Sequence, residues 1–129
     1  MATPAQPEGS LLPPTPTDTR IGLQSFAKIA SAWGLTTDEQ IALLGSPPRS
    51  TFFKWRKEGG ALPKDTEERL SHLLNIYRVL QILLPDPHEA DRWMKQRNRA
   101  FNNETALQHA MGGFSHLVEV RRYLDGQRG

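Results

Sequence analysis

Cysteine is absent from the 129 residues of this chain, so disulfides and thiolate metal sites are excluded. No apolar run reaches the roughly 18 residues that a membrane-spanning helix needs. The first residues lack both the basic start and the apolar stretch of a secretory signal, so a cytoplasmic chain with no membrane contact is expected. Aromatic residues make up only 8% and hydrophobic residues 37%. That supports one compact domain, or two small helical units sharing a core. A phosphate-binding glycine loop is also missing, because the paired glycines read as helix ends. His72, His88, His109 and His116 share no metal-ligand spacing, and Gly112-Gly113 interrupts any common helix for the last two. Each reads as a surface or partly buried helix residue. Acidic residues are scattered over polar helix faces, with no pair isolated in an apolar setting. No catalytic residue, metal, cofactor or small-molecule substrate is therefore expected. Spacing leaves open only a Ser–His arrangement assembled from distant parts of the chain.

Charge is present but unevenly placed. The formal net charge is +2, yet between Ser46 and Lys64 the cations Arg49, Lys54, Arg56, Lys57 and Lys64 face Glu58 alone. A second basic cluster follows at Arg92, Lys95, Arg97 and Arg99. Either could be an ordinary solvated helix face, so each is judged by its context.

Residues 1–17 hold half of the prolines and only Leu11 and Leu12 as large apolar residues, and are expected to be a disordered tail. A first helix is predicted from Asp18 or Thr19, presenting Ile21, Phe26, Ile29, Ala30 and Trp33 up to Gly34. Thr36 and Glu39 have capping-box spacing for a short second helix carrying Ile41, Leu43 and Leu44. After the turn Ser46-Pro47-Pro48, a third helix runs from Arg49 to Lys57 and stops at Gly59-Gly60. The fourth, about Asp65 to Leu84, keeps a polar stripe of Glu68, Ser71, Asn75, Arg78 and Gln81 and is apolar almost everywhere else from Leu73 onward. Such a helix must be covered on several sides; it is either a spine shared by two units or part of a dimer interface. A fifth helix carries Ala90, Trp93 and Met94, and a sixth spans about Glu104 to Met111. A seventh runs from Phe114 to about Leu124, leaving Asp125 to Gly129 as a free polar tail. No segment alternates as a half-buried strand would. The fold class is all-α: residues 18–64 form an N-terminal helix-turn-helix-like unit, and residues 65–129 form the long central helix and a C-terminal helical domain.

Two short helices joined by Gly45-Ser46-Pro47-Pro48, the second of them basic, suit a helix-turn-helix. The start of its second helix meets base edges, which here places Arg49, Ser50 and Thr51 as candidate readers. Lys54, Arg56 and Lys57 would then serve phosphates. Phe52, Phe53 and Trp55 are expected to anchor the helix to its neighbours, with base stacking on single strands as the other use of aromatics.

Together these residues resemble the Xre/MbcA/ParS family of antitoxins, whose partners are toxins with a RES domain. The likeness runs over about residues 25–129 and rests on spaced landmarks: Trp33-Gly34-Leu35, Leu43-Leu44-Gly45, Trp55, Arg69-Leu70, Ile76-Tyr77, Trp93, Asn98 with Phe101, Leu107, Met111-Gly112-Gly113 and Tyr123-Leu124. One departure stands out. Family members usually read F-x-G-x-x-P-L before the sixth helix, where this chain has Phe101-Asn102-Asn103-Glu104-Thr105-Ala106-Leu107; Asn103 can supply the left-handed backbone of the missing glycine. The resemblance implies that the first unit binds the operator DNA of the pair's own operon. It implies that the C-terminal domain holds a RES-domain toxin that degrades NAD or uses it for ADP-ribosylation, blocking the active-site entrance with the chain's own C-terminus. Toxin contacts would fall to Trp93, Arg121, Arg122, Tyr123, Gln127, Arg128 and Gly129, and the antitoxin would be a homodimer. The alternative is a stand-alone helix-turn-helix regulator whose C-terminal half serves dimerisation.

Overall fold

The computed structural model describes residues 16–128 and is built almost wholly of helices. In chain order these are α1 (Pro16–Trp33), α2 (Thr37–Leu43), α3 (Arg49–Glu58), α4 (Lys64–Leu83), α5 (Pro87–Arg92), α6 (Ala106–Ala110) and α7 (Phe114–Gln127). The expected tail lies outside the described residues, apart from Pro16 and Thr17, which belong to α1. Helix α1 therefore starts ahead of the expected Asp18–Thr19 cap, and Thr19 is buried within it. Proline suits a helix start because the first turn leaves its backbone N–H groups unpaired anyway.

Local chemistry sets the other boundaries. Thr36 accepts from the Glu39 backbone N–H while the Glu39 carboxylate accepts from the Thr36 N–H, the reciprocal cap that starts α2. A second box, Thr105 with Gln108, starts α6, so that helix begins later than Glu104. The intervening residues form something the sequence pattern did not suggest. Arg97–Asn98 (β1) pairs antiparallel with Glu104–Thr105 (β2), a two-residue ladder too short to show alternation. Asn102 and Asn103 turn the hairpin with φ of 56° and 65°, so asparagine does take the left-handed role where the family pattern has glycine. Helix α5 passes into a 3-10 turn at Trp93–Lys95.

One continuous core runs through the whole structure. Helix α4 packs against α1, α5 and α7, with Leu73, Ile76, Val79 and Leu80 wholly buried. Phe26 and Trp33 of α1, Leu43 and Leu44 of α2, and Phe52 of α3 join it from one side. Met94, Leu107, Leu117 and Val120 join it from the other. The shared-spine reading of α4 thus holds within a single copy of the chain. Three apolar positions do not follow the expected pattern: Ile21, Ile82 and Phe53 are exposed. Polar ties span the two halves as well. Lys95 Nζ donates to the Gly34 carbonyl at 2.6 Å, and the Thr66 hydroxyl donates to the Leu44 carbonyl at 3.2 Å.

The seventh helix corrects the expected free tail. It continues through Asp125, Gly126 and Gln127, carried past Leu124 by burial of that residue and by the i,i+4 pair of Arg121 and Asp125. Gly129 lies outside the described residues.

Candidate DNA-contact helix and partner-binding end

Helix α3 is docked by Phe52, buried, and by Trp55 and Thr51, half-buried. At 100° per residue these three share one side, which turns Arg49, Ser50, Lys54, Arg56 and Lys57 to solvent. All six sequence-predicted DNA residues therefore lie on one helix, and all but Thr51 are exposed. Two details differ from the expectation or go beyond it. Arg49 Nη1 pairs with Asp38 Oδ1 at 2.6 Å across the α2–α3 turn, so the candidate base reader is held by a carboxylate in the free chain. Phe53, expected in the core, is 45% exposed and sits among the cations instead, with the Arg49 guanidinium 5.8 Å above its ring. Spacing could have flagged it: Phe52 and Phe53 lie 100° apart on a helix, so one short helix rarely buries both.

At the far end of the molecule, Tyr123 of α7 joins an aromatic ladder. Its ring stacks on Trp93 at 6.2 Å and meets Phe101 edge-on at 5.5 Å. Phe101 stacks on His109 at 4.7 Å, and His109 on His116 at 4.5 Å. The two histidines, on separate helices as expected, are thus brought together, because the Gly112-Gly113 turn folds α7 back along α6. His109 Nε2 is 2.6 Å from Glu119 Oε1. Among the described residues no group of three or more His, Cys, Asp or Glu side chains could hold a metal ion.

Two clefts flank the last turns of α7. One, about 250 Å³, is lined by Leu80, Leu83, Leu84, Trp93, Tyr123, Leu124 and Gln127. The other, about 540 Å³, is lined by Asn75, Arg78, Arg121, Asp125 and Arg128. Of the residues assigned to toxin contact, Trp93, Tyr123 and Gln127 thus meet at the apolar cleft, and Arg121 and Arg128 at the cationic one. Arg122 is exposed and lines neither cleft. Arg78 was not among the assigned residues, although its place on the α4 polar stripe, facing the arginines of α7, brings it into the cationic cleft. Arg121 Nη1 donates to His72 Nδ1 at 2.9 Å. A guanidinium can only donate, so the imidazole is neutral with its proton on Nε2. Burial, and then the positive charge of Arg121, hold the His72 pKa below its usual value.

Comparison with known proteins gives the two halves a common meaning. Residues 14–75 match the antitoxin Xre-like helix-turn-helix domain, and residues 79–129 match the antitoxin Xre/MbcA/ParS C-terminal toxin-binding domain. The chain belongs to the Xre/MbcA/ParS antitoxin family. It is also 50% identical over 108 residues to a Sinorhizobium fredii (strain NBRC 101917 / NGR234) protein named uncharacterized protein y4oB, covering 83% of this chain and 84% of that protein. For this antitoxin the matches assign a helix-turn-helix to the half holding α3 and toxin binding to the half holding α7. The seam between them falls inside α4. Among the described residues no helix is long and apolar enough to cross a membrane.

Proposed function

We propose that this antitoxin restrains a RES-domain toxin, an enzyme that degrades NAD or uses it to ADP-ribosylate a target, by covering its active-site entrance. The observation that carries this reading is the end of α7. Aromatic anchors line a small apolar cleft there, and arginines line its neighbour. Interfaces draw their energy from a few desolvated aromatic and arginine anchors, and Trp93, Tyr123, Arg121 and Arg128 are of that kind. Arg122, Gln127 and Gly129 complete the proposed contact. Because α7 stays helical through Gln127, the end reaches a partner as a fixed projection and loses little freedom on binding.

The same chain represses its own operon in the cytoplasm. Arg49, Ser50 and Thr51 read bases, while Lys54, Arg56 and Lys57 hold phosphates. The chain works as a homodimer, which suits paired half-sites; Ile82, an apolar side chain 56% exposed on α4, offers a point of contact between copies.

The test is co-expression with the product of the neighbouring gene, expected to be a RES-domain protein, followed by NAD turnover of the purified pair. The full chain should co-purify and silence turnover. Removing Gly126 to Gly129 should leave the pair intact while turnover partly returns. Full silence from the shortened chain would assign inhibition to the domain alone, and a neighbour that fails to co-purify would end the RES assignment.

A further inference from the structure

Phosphates and base edges in a DNA duplex are met by hydrogen-bond donors and acceptors, which makes an exposed aromatic ring on a basic helix face conspicuous. Phe53 lies one turn from Arg49 and one turn from Lys57, with Ser50 and Lys54 beside it. Phe52, anchored in the core, holds the Phe53 ring in an edge-on contact at 5.2 Å. The ring is 45% exposed, and the Arg49 guanidinium lies 5.8 Å from its centroid. A second copy of this face would bring the same cations against Arg49, Lys54 and Lys57, so the surroundings favour a polyanion as the occupant. In the major groove of a duplex the base pairs present donors, acceptors and one apolar group, the 5-methyl of thymine.

We propose that Phe53 is a specificity-determining contact of α3, seated against a thymine 5-methyl group in the operator. This rests on the reading of α3 as the DNA-contact helix and adds what its arginine and lysines cannot supply. Lys54 and Lys57 give affinity without sequence information, and Arg49 is suited to guanine; Phe53 sets a thymine near that position. The ring also explains the Arg49 geometry. The guanidinium lies beside both the Asp38 carboxylate, at 2.6 Å, and the Phe53 ring.

The probe is a duplex of the chain's own promoter in which each thymine in turn is replaced by deoxyuridine, which removes only the methyl group. Binding is measured with the full chain, alone and co-purified with its toxin. Loss of one buried methyl group should weaken wild-type binding about fourfold at one thymine or more. Phe53→Ala should bind the natural promoter about fourfold more weakly and respond to deoxyuridine no further at that position. Its salt dependence should stay as in the wild type, since no phosphate contact is lost. Phe53→Leu, which keeps an apolar tip, should recover part of the discrimination. The deoxyuridine series on the wild type needs no folded variant. A wild type that prefers its promoter over random duplex yet tolerates deoxyuridine at every position overturns the inference and leaves the DNA-contact reading standing. Absence of any promoter preference, with or without toxin, removes both. Tighter binding to the single strand than to the duplex overturns the thymine contact in favour of base stacking.

Discussion

The exposed face of α3 and the end of α7 are both rich in arginine, yet they are built differently. On α3 the cations project from a helix docked by its opposite side, and among the described residues only Arg49 has a carboxylate partner, one that is itself 86% exposed. Near the end of α7, Arg121 and Tyr123 are already engaged, while Arg122 and Arg128 are exposed. Arg121 holds His72 and Asp125, and Tyr123 lies between Trp93 and Phe101. A set of loose charges attracts a polyanion over distance and weakens in salt. A braced arginine beside stacked aromatics suits a protein surface, because little side-chain freedom remains to be lost. The lesson is that local net charge describes the two surfaces alike, while bracing separates them.

The largest expected effect tests whether the two surfaces share one folded unit. Leu80 is wholly buried on α4, so Leu80→Ala should cost about 2–5 kcal/mol in a denaturant titration. Both halves should unfold in one transition, followed with probes in each. Two separate transitions would break the comparison by making the surfaces independent domains. Next in size is the salt contrast. Replacing Lys54 and Arg56 with alanine should reduce the slope of log affinity for DNA against log salt by about two, for operator and random duplex alike. Toxin binding by the same variant should be unchanged, and the wild-type toxin complex should persist at salt concentrations that release DNA. A toxin complex as salt-sensitive as the DNA complex would show that bracing has no energetic consequence.

The smallest effect concerns the bracing itself. Burial, then Arg121, with Arg122 adding to it against the opposing Glu68, hold the folded-state pKa of His72 below its ordinary 6.5. The unfolded chain therefore binds a proton first as pH falls. Stability contributed by the neutral ring is complete above pH 6.5 and declines below it until the folded-state pKa is passed. His72→Gln should flatten that part of the acid dependence of the melting temperature. An identical acid slope would show that the Arg121 contact does not depend on the neutral ring.

Much of this architecture was readable from spacing. The Thr36–Glu39 box and the stop at Gly34 depend on contacts within a few residues, the buried side of α4 shows in its apolar periodicity, and the left-handed Asn103 followed from the family pattern. What escaped depends on the tertiary neighbours. Periodicity marks Ile21, Phe53 and Ile82 as apolar without saying whether another helix covers them. The Trp93–Tyr123 and His109–His116 stacks join residues from separate elements, and the β1–β2 ladder is too short to leave a pattern. The α7 extension through Gly126 was missed because glycine reads as a stop, although burial of Leu124 and the Arg121–Asp125 pair hold the turn together. The chemistry of the α3 face was legible by residue type; the aromatic at its centre and the carboxylate on Arg49 were not.

The seam inside α4 has a consequence for inheritance as much as for folding. A gene cut between residues 75 and 79, where the two family matches part, would divide the helix on which Ile76 and Val79 are both wholly buried. Each fragment would be left with an uncovered apolar flank. Recombination that trades one half for another must therefore also keep the complementary side of this rod, and a nick here would silence both halves together. The helix-turn-helix and the toxin-binding half are tied to one piece of chain.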